Sequence, residues 1–484
     1  MTTRKGEGTY NAVVIGGGTA GLVTAAGTAG LGGRVALIER NKMGGDCLNF
    51  GCVPSKALIS SARLIDKIRH APDWGLENIE PRFDFSRVFA RMRERRAKIA
   101  PNDSQERFES LGVDVFRGEA RFLSAEEVEV DGAVLRAKNF VIATGTRAAI
   151  PQIEGINEVP YFTNETIFDE LNSKPESMIV LGGGPIGCEL GQTFQRLGVS
   201  VSIVQRNERL LPREDPDVSA FLEKRLTEEG VRVITNGKAQ SVAPAPGGIE
   251  LRVARGSEEI RLTASVLLIC TGRRPSIRQL ELDKIGVRAG DRGVEVNEYL
   301  QTTRPHIYAA GDVVGPYLFT HMADAHARVV VRNILMPVQF LRQRIDYSVV
   351  PWCTYVEPEI ATVGLNESTA KARNIDYDLI VQKLEDVDRA VVESEDIGFV
   401  KTLVGKGTDK ILGATLVCQS AGDLMHEFVL AMKCGIGLGK ISGTTHAYPT
   451  FAEIARKVGD KYNKTRLTPT AKKVFSWLYE RQRG

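Results

Sequence analysis

The sequence predicts an α/β chain with two Rossmann-like domains, the second inserted in the first, and a C-terminal α+β interface domain. Three observations carry this. The run Val13-Val-Ile-Gly16-Gly-Gly18-Thr-Ala-Gly21 is a buried strand feeding a G-x-G-x-x-G turn and an Ala-rich helix. The pattern returns at Met178-Ile-Val-Leu-Gly182-Gly-Gly184-Pro-Ile-Gly187. At 484 residues the chain also exceeds what a single core usually supports.

Taken in order, the first turn is followed by the strand Val35-Ala-Leu-Ile and by Glu39, 18 residues beyond Gly21. Glycines there let the backbone approach a pyrophosphate at a helix N-terminus, and an acid at that distance accepts from a ribose hydroxyl. The second turn leads to a helix and a strand over 199–204, so two dinucleotide sites are implied. Phe140-Val-Ile-Ala-Thr144-Gly145 and Val266-Leu-Leu-Ile-Cys-Thr-Gly272 read as crossover strands, each returning to its own domain. Ile307-Tyr-Ala-Ala-Gly311-Asp312 brings the chain back to the first sheet, with its aspartate at the carboxyl edge where ligands bind. The expected division is therefore 1–155 and 276–346 for the first dinucleotide domain, 156–275 for the second and 347–484 for the interface domain.

Composition narrows the function. The 63 basic and 60 acidic side chains nearly cancel to +3, which argues against a general nucleic-acid surface. No apolar run approaches the roughly 18–20 residues that cross a bilayer. Residues 1–10 are polar and lack the apolar core of a secretory signal, so a cytoplasmic location is expected. Seven cysteines form no disulfide framework in a chain of this length. The last 21 residues hold six basic side chains and one acid, with Val474, Phe475, Trp477 and Leu478 offering an apolar face, expected to pack within the fold rather than on a membrane or partner.

The chemistry centres on Gly44-Gly45-Asp-Cys47-Leu-Asn-Phe-Gly-Cys52-Val-Pro-Ser-Lys56, just after the first ribose acid. Four intervening residues do not fit a zinc knuckle and no histidine is near, so no metal site is expected. Pro54 suits the first turn of a helix, which puts Cys52 at an N-terminus where partial positive charge stabilises a thiolate. Cys188, Cys270, Cys353, Cys418 and Cys434 read as small core residues, and His70, His306, His321, His326 and His426 as structural or surface groups.

This cysteine motif, two dinucleotide fingerprints and a Gly-Asp strand end together resemble the class I flavoprotein pyridine nucleotide-disulfide oxidoreductases over essentially the whole chain. The resemblance implies FAD on the first domain, NADH or NADPH on the second, and a redox disulfide between Cys47 and Cys52. It implies that Cys52 faces the flavin while Cys47 exchanges with substrate. Lys56 and Glu189 match the family's ion pair beside the reactive flavin nitrogen, and Asp312 its ribityl-binding acid. A helix over 321–335 would aim its N-terminus at the flavin.

A second segment, His446-Ala-Tyr-Pro449-Thr-Phe-Ala-Glu453, reads as an acid/base pair. Pro449 is expected to open a helix with Glu453 in its first turns, leaving His446 in the preceding loop within reach of that carboxylate. The carboxylate would fix one imidazole tautomer and free the other nitrogen to move a thiol proton. The resemblance implies that this histidine acts on the cysteines of a second subunit, hence a homodimer with shared active sites.

The expected reaction joins NAD(P)H, FAD and a small dithiol or disulfide, in the manner of dihydrolipoamide dehydrogenase. A mercuric-reductase-like reduction of a metal ion or quinone is the alternative, although the vicinal C-terminal cysteines usual there are missing and the last cysteine is Cys434. A non-catalytic FAD-containing interaction subunit is the remote one. Gln205 stands where NAD-specific enzymes usually carry an acid, and Arg206 follows it, which favours NADPH. Cofactor contacts are thus expected from Gly16, Gly18, Gly21, Glu39, Gly45, Lys56, Thr144, Gly145, Gly311 and Asp312 for FAD, and from Gly182, Gly184, Gly187, Gln205, Arg206 and Gly272 for the nicotinamide.

Overall fold

The computed structural model describes residues 5–336 and 338–484; residues 1–4, the start of the polar N-terminal stretch, lie outside them. One compact unit holds the residues up to Ile65 together with Pro81–Glu208 and Leu226–Asp346. It carries two parallel sheets. The first orders its strands Ile307–Ala309, Phe140–Ile142, Ala12–Ile15, Val35–Glu39 and Val113–Arg117. The second runs Arg232–Ile234, Ser200–Val204, Ser177–Leu181 and Val266–Ile269.

Parallel strands are covered on both faces, which is why these runs are continuously apolar rather than alternating. Val13, Ile15, Ala36 and Ile38 enter one core cluster, whereas Ala12, Val14, Val35 and Leu37 enter another. The helices after the two glycine turns are Thr19–Gly30 and Pro185–Arg196. A three-stranded antiparallel sheet, Lys238–Ala245, Gly248–Arg255 and Glu258–Ala264, adds an element that the sequence reading does not separate.

The two turns are built alike. Gly16 has φ +113° and Gly182 +118°, and a Cβ on either would stand 2.3 Å from a carbonyl oxygen, that of Ala143 or of Cys270. A side chain at the third glycine is equally excluded: its Cβ would lie 1.8 Å from Gly16 O at Gly21 and 1.9 Å from Gly182 O at Gly187. Glycine is therefore obligatory at these positions for the strand-to-helix turn to close.

The other unit comprises Asp66–Glu80, Arg209–Arg225 and Tyr347–Gly484. Its five-stranded antiparallel sheet runs Pro351–Thr354, Glu359–Gly364, Ile411–Cys418, Phe399–Gly405 and Tyr377–Lys383. Val363, Leu416, Phe428, Ile454 and Val458 share its core. Cys188 and Cys418 are buried as expected, and Cys270 and Cys353 partly so. Cys434 is a correction: it caps the helix His426–Lys433 and is exposed, because the chain turns away from the core there.

This unit also buries an ion network. Lys401, 2% exposed, places its Nζ 3.0 Å from Asp215, 2.9 Å from Asp217 and 2.6 Å from Glu367. Burial alone would lower the lysine pKa, but the three carboxylates outweigh it and the net shift is upward. Removing the cation leaves Asp215 buried without its counter-charge. Lys401→Met should therefore destabilise this unit by about 3–5 kcal/mol, the usual penalty for breaking a buried pair. Differential scanning calorimetry checks this as a melting temperature lowered by several degrees, and an unchanged transition would contradict it.

Candidate active site

Cys47 lies in the short helix Gly45–Phe50, and Cys52 is the first residue of the helix Cys52–Arg69, as Pro54 foretells. Gly45 has φ +59°, and a Cβ on it would stand 2.5 Å from Gly18 Cα. The cysteine segment is thereby seated directly against the first glycine turn.

The two thiols hydrogen-bond to each other, and Cys52 Sγ lies 3.4 Å from the hydroxyl of Thr320, which opens the helix Thr320–Leu335. The hydrogen bond from Cys47, followed by that from Thr320 and the charge of Lys56, brings the Cys52 thiol down to about 6 against the opposing effect of desolvation. Cys47 is pushed up by the same shared bond and by burial. One thiolate and one thiol are thus set side by side at neutral pH. Lys56 Nζ lies 2.7 Å from Glu189 Oε2, with the carboxylate almost fully buried.

A group that the sequence reading overlooks joins three strand ends. Arg273, buried just after Gly272, contacts Asp46 Oδ1 at 3.0 Å and donates from Nε to Thr146 Oγ1 at 2.7 Å. That hydroxyl in turn lies 3.3 Å from Asp312 Oδ2. Burial pushes the Asp312 carboxyl up and Asp46 adds to it, while Arg273 opposes both. The only sequence signal for this link is an arginine after a Thr-Gly strand end.

At the first turn the Glu39 carboxylate accepts from Gly17 N and from Asn41 N, both at 2.6 Å. At the second, Gln205 Oε1 accepts from Gly183 N at 3.1 Å. The amide does for the second turn what the carboxylate does for the first. Arg206 is exposed beside it. Gly311 has φ +79° and donates its N–H to Nδ1 of the buried His326 at 3.1 Å.

The expected His446–Glu453 pair does not form within the subunit, and the expected helix start is corrected with it. The helix begins at Glu453 itself, Glu453–Thr465, rather than at Pro449. The His446 side chain, 8% exposed, has Nδ1 2.9 Å from the Thr444 carbonyl and Nε2 3.1 Å from Glu427 Oε1. Both ring nitrogens face acceptors. Glu453 is engaged instead by Arg456 and, at 3.9 Å, by Lys457. Tyr448 in this loop is exposed, and its hydroxyl donates to Asp388 at 2.9 Å and is pushed up by that bond.

Paired glycine turns, a cysteine pair beside the first, and an ion pair next to the cysteines define a nucleotide-dependent dithiol oxidoreductase. Residues 10–329 match the pyridine nucleotide-disulphide oxidoreductase family and residues 350–458 its dimerisation domain. A mercuric reductase of Staphylococcus aureus is 36% identical over 453 residues, covering 92% of this chain and 81% of its own. A dihydrolipoyl dehydrogenase of Chlamydia muridarum is 31% identical over 92% of this chain and 95% of its own. Among solved structures, a Cu(II) complex of the HOCl-induced flavoprotein disulfide reductase RclA of Escherichia coli superposes with a TM-score of 0.83 at 26% identity, covering 94% of this chain and 99% of its own. The chain belongs to the pyridine nucleotide-disulphide oxidoreductases, FAD-dependent enzymes that use NAD(P)H. The residues present fit FAD: the buried Thr144 hydroxyl has no hydrogen-bond partner among the described residues, a Cβ on Gly145 would meet nothing within 4 Å, and both Glu39 oxygens retain lone pairs.

The lowered Cys52 pKa gives a pH window. The thiolate is present above about 6 and is lost as pH falls through that value, whereas an ordinary thiol loses it near 8.5. Alkylation of reduced protein by iodoacetamide, followed by peptide mass spectrometry, should show a thiol that titrates near 6 at Cys52, with Cys47 reacting only as its proton is released. Thr320→Val should move the Cys52 midpoint upward; a midpoint near 8.5 in the wild type would refute the assignment.

Proposed function

We propose that the protein passes two electrons from NAD(P)H to a small disulfide through Cys47 and Cys52, a reaction of the dihydrolipoamide dehydrogenase type that is reversible in principle. The observation that carries this reading is the adjacent thiol and thiolate at the start of the helix Cys52–Arg69. FAD, when bound, supplies the two-electron exchange between nicotinamide and the cysteine pair. Gly16, Gly18, Gly21, Glu39, Gly45, Thr144, Gly145, Gly311 and Asp312 would hold it, with Lys56 and Glu189 setting the charge beside it. Gly182, Gly184, Gly187, Gln205, Arg206 and Gly272 would hold the nicotinamide nucleotide.

In the reducing direction Cys47, giving up its proton, attacks one substrate sulfur and displaces the other as a thiolate, which takes a proton. Cys52 then attacks the Cys47 sulfur of the mixed disulfide, closing the Cys47–Cys52 disulfide and releasing the second thiolate, which is also protonated. Two electrons from NAD(P)H and two protons restore the dithiol. The matched dimerisation domain supports a homodimer; on this reading each site also shares its lining with the partner subunit and the enzyme acts in the cytoplasm.

A second reading is reduction of a soft metal ion held directly by the two sulfurs. It is favoured by the engagement of His446 with Glu427, since an ion bound by thiolates needs no proton shuttle, and by the mercuric reductases among the relatives. Steady-state assays with lipoamide, glutathione disulfide and Hg(II) separate the two. On the first reading a disulfide is turned over, Cys47→Ser and Cys52→Ser each abolish it, and His446→Ala loses less than the roughly 10²–10⁴-fold that removal of a general acid–base group gives. Turnover of Hg(II) alone would establish the second.

The nicotinamide preference follows from Gln205, which offers no carboxylate to repel a 2′-phosphate, and from the adjacent guanidinium of Arg206. kcat/KM should favour NADPH, and Arg206→Ala should reduce that preference about tenfold, the effect of one charge-assisted contact. A preference for NADH that survives the substitution would overturn the assignment.

A further inference from the structure

No side chain of the last helix enters a core among the described residues. Thr468 caps it, accepting from Ala471 N at 3.2 Å, Pro469 occupies its first position, and it runs Pro469–Gln482 beyond the end of the matched dimerisation domain at 458. None of its residues is buried. This corrects the expectation that its apolar side chains pack within the fold: Val474, Phe475, Trp477, Leu478 and Tyr479 are 50, 50, 54, 43 and 63% exposed.

At about 100° per residue these side chains and Ala471 sweep an arc of about 200°. Trp477 and Tyr479 fall at its two edges. Lys472, Lys473, Ser476 and Glu480 fill the opposite arc, while Thr470, Arg481 and Gln482 fall within the first, Arg481 with its guanidinium 5.4 Å over the Trp477 ring. Trp477 and Tyr479 at the borders, Val474, Phe475 and Leu478 between them and two lysines on the opposite arc form the pattern of a helix lying in the plane of a membrane interface, with Arg481 folded over the Trp477 border.

Charge selects the occupant. The last 21 residues carry +5 in a chain whose total is +3, so the rest of the chain is net −2. A second copy of the helix meeting the first across a twofold axis would oppose like charges. The helix itself carries Lys472, Lys473 and Arg481 against Glu480, with Lys464, Arg466 and Arg483 flanking it, and an acidic bilayer meets these cations with opposite charge. We propose that the helix Pro469–Gln482 docks the enzyme peripherally on anionic lipid, its apolar arc inserted at headgroup depth and its lysines and arginines against the phosphates.

The test is co-sedimentation of the full-length FAD-loaded enzyme with vesicles of phosphatidylcholine alone or with one-third phosphatidylglycerol. Binding to the anionic vesicles should be at least about tenfold stronger and should fall as salt is raised from about 0.1 to about 0.5 M. Phe475→Ser/Trp477→Ser and Lys472→Glu/Lys473→Glu should each remove it while retaining bound flavin and NAD(P)H oxidation, because neither pair contributes to a core. Equal binding to both vesicles, binding undiminished by the charge reversal, or no binding at all would overturn the proposal. So would light scattering that shows assemblies larger than a dimer, broken by Phe475→Ser/Trp477→Ser, without vesicle binding; that result would give the face to a second copy.

Discussion

The approach of Gly45 to Gly18 is the contact on which the candidate site depends. A methyl group at Gly45 would stand 2.5 Å from the other backbone, so the two segments meet with no room for a side chain. The turn that binds a dinucleotide and the segment that bears the cysteines are consequently one surface. Three further strand ends, Thr144 to Thr146, Gly272 and Arg273, and Gly311 and Asp312, come from the carboxyl edges of the parallel sheets, where such folds gather ligands. Arg273 then ties Asp46, next to Cys47, to Thr146 and so to Asp312.

Both units use buried charge, with opposite balances. Around Lys401 three carboxylates surround one cation, and the lysine is held charged. Around Arg273 one cation serves Asp46 while Asp312, reached through Thr146, is left with a raised pKa. The first arrangement is a structural clamp between a loop and a sheet of the same unit. The second leaves an acid that burial holds above the ordinary carboxylate range.

What was legible in the sequence was what local sterics and periodicity impose. The glycine spacings at Gly16 and Gly182 can be read because no other residue closes those turns, and Cys52 at a helix start can be read because Pro54 is compatible with little else. The His446–Glu453 pairing was not, because it hung on where a helix begins. The helix starts four residues later than Pro449 implies, and Glu427, on a separate helix 19 residues upstream, takes the imidazole. Arg273 was missed for the same reason: its partners Asp46 and Thr146 are brought to it only by the tertiary fold. For the last helix the apolar face is legible in the sequence, but its exposure among the described residues is not.

Gln205 carries an evolutionary consequence. The glycine turn asks position 205 for one oxygen acceptor toward Gly183 N, and an amide supplies it as well as a carboxylate does for Gly17 at Glu39. Exchange between glutamine and glutamate, a single-base change, therefore alters the charge at the second glycine turn while leaving the fold's own hydrogen bond in place. The charge at this position is free to change between lineages without a folding barrier to cross.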